Sequence, residues 1–136
     1  MEGKFGEAYK LLEEALIEIK DAGEVKEGVA LRLSKIFDKR FQKALQSMRD
    51  GRVRRHVFKP SKRIVWMVTG EEGTYQVLPT VNFCSCNDFY FRVVNGETPL
   101  CYHVIAQKLA EVLNCFEVIE ERDGGYEELV KCGKGS

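Results

Sequence analysis

Cys84-Ser85-Cys86-Asn87-Asp88 and, fifteen residues beyond Cys86, Cys101-Tyr102-His103-Val104-Ile105-Ala106 form the stretch that decides how this chain folds. Three of its five cysteines and one of its two histidines fall in a Cys-x-Cys then Cys-x-His pattern. Three thiolates and an imidazole are the donors that select tetrahedral zinc. Residues two apart on extended backbone point the same way, so Cys84 and Cys86 can face one ion. On a helix residues two apart diverge, which places Cys101 and His103 on its first turn. Thr98 as N-cap and Pro99 just inside suit a helix over residues 99–114, with Ile105, Ala106, Leu109, Val112 and Leu113 as its apolar face. The expectation is one structural Zn2+ held by Cys84, Cys86, Cys101 and His103, where a β-hairpin meets a helix. Ala106, one turn beyond His103, is small enough to let that helix lie close beside the metal site, and it is also simply a good helix former.

The other readings of these cysteines are ordinary buried thiols or disulfides. The odd cysteine count, with no leader sequence and no long apolar run, argues against a disulfide framework and for a reduced, intracellular setting. Cys115 is expected as a small core residue near a helix end and Cys132 as a tail thiol.

Outward from the motif, the periodicity changes twice. Phe5, Tyr9, Leu12, Leu16 and Ile19 recur at helical spacing, predicting a helix over residues 3–21 that Gly23 ends. Val29, Leu33, Ile36, Phe37, Phe41, Ala44, Leu45 and Met48 predict a second helical stretch over 25–48, broken near 37–40 and stopped at Asp50-Gly51. Short β-rich runs follow at 53–58, 64–68 and 75–78, separated by Lys59-Pro60-Ser61 and by Gly70-Glu71-Glu72-Gly73, and read as an antiparallel meander. Phe89, Phe91 and Val93 alternate as a further strand turning at Asn95-Gly96. A last short helix follows Gly124-Gly125, and residues 133–136 are expected to fray. The fold class is α+β: N-terminal helices, a small antiparallel β-meander and a zinc-bound ββα finger. With 136 residues, one domain is expected, its helical part at 1–50, meander and finger at 51–116 and a C-terminal extension at 117–136.

The motif resembles the SWIM zinc finger, Cys-x-Cys-x(n)-Cys-x-His. Its end is similar to the longer Cys-x-His-x-x-Ala form found in SWIM-domain subunits of the Shu complex. The similarity covers roughly residues 30–115. Two positions depart from the usual pattern: Asn87 stands where proline often follows the second cysteine, and Tyr102 where a basic residue often separates the last two ligands. The resemblance implies an adaptor that binds a RecA-family recombinase paralogue and supports homologous recombination and DNA repair. The location expected is intracellular: cytoplasm or nucleoid in a prokaryote, and the nucleus in a eukaryote, where the basic run over residues 52–63 can double as an import signal.

Charge supplies a second candidate. Lysines plus arginines equal aspartates plus glutamates at 21 each, yet residues 1–31 carry −4, residues 32–63 carry +10 and residues 64–136 carry −6. Arg49, Arg52, Arg54, Arg55, Lys59, Lys62 and Arg63 crowd one hairpin, the best electrostatic candidate for a nucleic-acid surface, with Phe58 or His56 near enough to stack on bases. The same run is equally suited to a solvated face, or to pairing with the acidic segments of the chain itself. No phosphate loop, Ser-His-Asp set, paired carboxylate site or His-x-Glu with Pro-Cys-x-x-Cys is present, so neither an enzyme nor a small-molecule substrate is expected, and no membrane partner.

Overall fold

The structure, a computed structural model, describes residues 5–132, without the side chain of Cys132. Three helices come first: α1 (Gly6–Ala22), α2 (Glu27–Phe37) and α3 (Lys39–Arg49). The start expected at residue 3 and the expected frayed end at 133–136 lie outside the described residues. Gly23 closes α1 with a left-handed φ of 75°. The break between α2 and α3 is the single residue Asp38, at φ 52° and ψ −133°. Val29, Leu33 and Phe37, one turn apart along α2, are all buried, as are Phe41, Ala44, Leu45 and Met48 of α3.

The sheet runs β4-β3-β2-β1-β5. β1 (Val53–Lys59), β2 (Ile64–Thr69), β3 (Thr74–Leu78) and the two-residue β4 (Phe83–Cys84) form the antiparallel meander. α4 (Tyr102–Leu113) starts directly after Cys101, then β5 (Glu117–Arg122) returns to lie parallel to β1, and α5 (Tyr126–Cys132) follows. β2, the middle strand, is buried on both faces. Trp66 and Val68 join the main core with α1–α4, while Val65 and Met67 meet Phe58 on the other face, under Tyr126 and Leu129 of α5. Phe58 is wholly buried, and each such side chain contributes about 1.5–3 kcal/mol. α4 is enclosed almost all round: Val104, Ile105, Ala106, Leu109 and Ala110 are each 0% exposed.

Four expectations are corrected. The alternation at Phe89, Phe91 and Val93 is not a strand: Phe89–Val93 is a π-helical turn. Phe89 and Val93 are also four residues apart, and that spacing lets both pack on the core while Phe91 points to solvent. The helix after it starts at Tyr102 with Cys101 as N-cap, so Thr98 is not the cap. Residues 98–100 are instead a buried connection, where the Pro99 carbonyl accepts a hydrogen bond from the Tyr9 hydroxyl at 3.2 Å. Cys115 is exposed rather than core, just past the left-handed cap Asn114. His56 and Phe58 are 6% and 0% exposed, so neither is free to stack on a base.

Candidate metal centre and basic hairpin

Cys84 ends β4, Cys86 follows two residues later, and Cys101 and His103 flank the start of α4. All four are buried, and one donor atom from each lies within 4.8 Å of the others. His103 presents Nδ1, 3.6 Å from Cys84 Sγ and 4.0 Å from Cys101 Sγ. With Zn–S near 2.3 Å, a tetrahedral site has ligand–ligand edges of about 3.8 Å, so the donors fit one zinc ion. Four protein ligands fill a tetrahedron and give the site its structural form.

The electrostatics point the same way. Hydrogen bonds with Cys101 and then Cys84 drive the Cys86 thiol strongly down. Cys84 is driven strongly up by its bonds with Cys101 and Cys86 and by burial. At Cys101 the bond with Cys84 pulls down, but the bond with Cys86 and burial outweigh it, pushing the thiol up to about 12. Three crowded sulfurs thus resist ionising together. A divalent cation replaces the protons they would otherwise share.

Several supporting residues carry no signal in the ligand spacing. The His103 ring lies 4.0 Å from that of Tyr102 and 4.9 Å from that of Tyr75. Gly70, at the end of β2, sits so close that an added Cβ would overlap His103 Nε2 and come within 2.7 Å of the Tyr102 oxygen. Phe89 N–H donates to Cys86 Sγ at 3.4 Å, so the π-helical turn begins on a metal ligand. Arg40 of α3 holds Asp88, in the same turn, through two nitrogens. A glycine at a strand end is the only one of these features that hints at itself in sequence.

The basic residues of the hairpin do not form one patch: Arg55 lies on the Trp66 face of β1 and Arg54 on the Met67 face, and most of them are engaged. Arg52 lies 3.9 Å from Asp50, Arg54 donates to Thr69 Oγ1 at 2.9 Å and Lys59 pairs with Glu120 at 3.0 Å. Arg55 stacks on Trp66 and Phe116, and Arg63 lies 4.8 Å over the Tyr126 ring. Arg49 and Lys62 are exposed, and no side-chain partner meets them among the described residues. The acidic β5 lies alongside, with Glu117 opposite Arg54 and Glu120 opposite Val57 in the parallel register. His56 Nδ1 lies 2.8 Å from Glu121 Oε1.

A Cys-x-Cys on the last strand of a meander and a Cys-x-His opening the next helix, gathered into one buried four-ligand site, define the SWIM class of zinc finger. No protein-family model matches the chain. Among curated proteins it is 32% identical over 108 residues to the zinc finger SWIM domain-containing protein 7 homolog of Dictyostelium discoideum, covering 78% of this chain and 69% of that protein. Zinc finger SWIM domain-containing protein 7 of Mus musculus is 31% identical over 109 residues, covering 78% and 71%. Its human counterpart is 27% identical over 116 residues, covering 84% and 82%. The chain belongs to the zinc finger SWIM domain-containing protein 7 family. No helix among the described residues is long and apolar enough to cross a membrane.

Proposed function

We propose that this is a non-enzymatic, zinc-stabilised adaptor that binds a RecA-family recombinase paralogue and supports homologous recombination. The recombinase partner follows from the resemblance to Shu-complex SWIM subunits. The surface follows from one observation: the π-helical turn between the ligand pairs leaves Tyr90, Phe91 and Val94 at 55%, 64% and 63% exposed. Aromatic anchors on a rigid base suit a protein interface. The N-terminal helix offers no such cluster, since it turns Leu12 and Ile19 into the core and keeps Tyr9 and Leu16 against it. Zinc serves this function by fixing the turn from both ends, through Cys86 and Cys101, with Ala106 packed beside the metal site. The whole chain acts as one domain, inside the cell and with the chromosome: nucleoid in a prokaryote, nucleus in a eukaryote.

Affinity purification of the tagged protein from its native cells, after nuclease treatment, tests this reading. A recombinase paralogue should be recovered with the wild type and lost when Tyr90, Phe91 and Val94 are all serine, with zinc content unchanged. If no such protein survives nuclease, the adaptor reading fails.

Direct nucleic-acid binding through Arg49 to Arg63 is the second reading, favoured by the exposed Arg49 and Lys62, which meet no side-chain partner among the described residues. It requires affinity that falls steeply with salt. DNA binding unchanged by Arg54→Glu with Arg55→Glu would end it.

A further inference from the structure

The sheet face that carries α4 is left open toward β5. Two short rows cross it there. Ile64, Val57 and Glu120 form one row, through the pairs Val57 with Ile64 and Val57 with Glu120; Trp66, Arg55 and Val118 form the other, through Arg55 with Trp66 and with Val118. Strand alternation puts all six on the face where Trp66 joins the main core. Trp66 is buried, but Ile64 is 52% and Val118 49% exposed, and Val57 is half-buried. The Arg55 guanidinium carbon lies 5.9 Å from the centre of the Trp66 ring and 5.1 Å from that of Phe116, and the two rings meet edge to face. Arg55 Nε is buried with no hydrogen-bond partner, and among the described residues no carboxylate pairs with the guanidinium. The acid in the adjacent row, Glu120, is taken by Lys59.

We propose that this block docks an amphipathic helix of another protein, whose apolar residues cover Val57, Ile64 and Val118 and whose carboxylate meets Arg55. The dimensions match: three strands span about 10 Å and the two rows lie about 7 Å apart, close to the ~10–12 Å width of one helix. The charge matches too. A guanidinium held flat by two rings amid aliphatic side chains is preorganised for a carboxylate, and arginine beside buried aromatics is a recurrent hot-spot arrangement. Nucleic acid fits worse: phosphates gain nothing from Ile64 and Val118, Glu120 shares the face with the cation, and the Trp66 face is not open for a base. The block lies across β2, β1 and β5, whereas Tyr90, Phe91 and Val94 follow β4 at the opposite edge. The two surfaces are therefore separate, and the inference extends the adaptor reading to a protein that bridges two others without depending on which partner holds the first.

The test places a photo-crosslinking amino acid at position 118 of the full chain in its native cells, followed by nuclease treatment and peptide mapping. The expected product joins position 118 to a different protein, in a segment with apolar residues at helical spacing and an Asp or Glu among them. With that protein purified, Ile64→Ser or Val118→Ser weakens the pair at least tenfold while zinc content and melting temperature hold. Changing the mapped acid to Arg weakens it similarly, and Arg55→Glu opposite that Arg restores most of the loss. No cross-link, a cross-link to a second copy of this chain or to nucleic acid, or failure of the charge swap overturns the proposal. A cross-link at 118 that persists in the Tyr90, Phe91 and Val94 serine variant separates this surface from the adaptor site, whichever way that reading falls.

Discussion

Arg40 grips Asp88 with both ends of its fork, Nε to Oδ2 at 3.1 Å and Nη2 to Oδ1 at 2.9 Å, tying α3 to the turn that follows Cys86. Both side chains are about a quarter exposed, between a surface pair, worth little, and a buried pair, costly to break. Asp88 raises the Arg40 pKa through this hydrogen bond, so the guanidinium stays charged throughout. Arg40→Ala should cost about 1–2 kcal/mol and speed zinc loss to a chelator. Arg40→Lys should recover only part, because an ammonium cannot span both oxygens. Urea denaturation and chelator kinetics read both effects.

Gly70 sets the space behind the His103 ring. Gly70→Ala should push the imidazole or the strand end aside, lowering zinc affinity at least tenfold and stability by about 1–3 kcal/mol, the usual cost of overpacking. Competitive zinc titration of the purified variant checks it; unchanged affinity would show that the strand end yields without moving His103.

Purified protein should carry one zinc per chain. Because metal binding and folding are coupled, Cys86→Ser or His103→Ala should remove the ion and cost several kcal/mol, seen as a lower melting temperature. The first loss should be local. Limited proteolysis should cut within residues 84–101 before the circular dichroism of α1–α3 falls, since those helices bury Leu12, Ile19, Leu33 and Phe41 among themselves and α4. Simultaneous loss of both signals would make zinc a condition of the whole core.

Glu117, Glu120 and Glu121 on β5 lie beside the basic β1. Changing all three to Gln raises the net charge by three and frees Lys59. If the hairpin contacts DNA, affinity should rise several-fold and the salt slope steepen; if it does not, binding stays weak in both forms. The cost is the Glu121 contact to buried His56, about 1 kcal/mol of stability.

How much of this was legible in sequence depends on how local its cause is. The metal ligands were readable because chemistry fixes both donor type and spacing, and Gly23 and Asp50-Gly51 mark their helix ends by backbone preference alone. The run at Phe89–Val93 was misread because Phe-Tyr-Phe-Arg-Val satisfies a period of two as well as a spacing of four, and the choice is made by Phe89 docking on Phe83 and on Cys86 Sγ. β5 gave no signal: Glu117-Val118-Ile119-Glu120-Glu121-Arg122 is poor in strand formers, and its extended form comes from pairing with a basic strand far away in the chain. Gly70, Tyr75 and Arg40 reach the metal site only through tertiary packing, which no local pattern records.

The parallel pairing of β1 with β5 also sets an order of assembly. During synthesis Val53 leaves the ribosome 64 residues ahead of Glu117. Until that acidic strand arrives, β1 is an edge with its arginines uncovered, next to a ribosome rich in phosphate. The meander can close at once through short hairpins, whereas the last strand must wait for α4 and the metal ligands to be made, and closing the longer loop slows the step. The acidic strand is thus in place of a chaperone that comes late, and chains stalled before residue 117 should be the ones that stick to RNA.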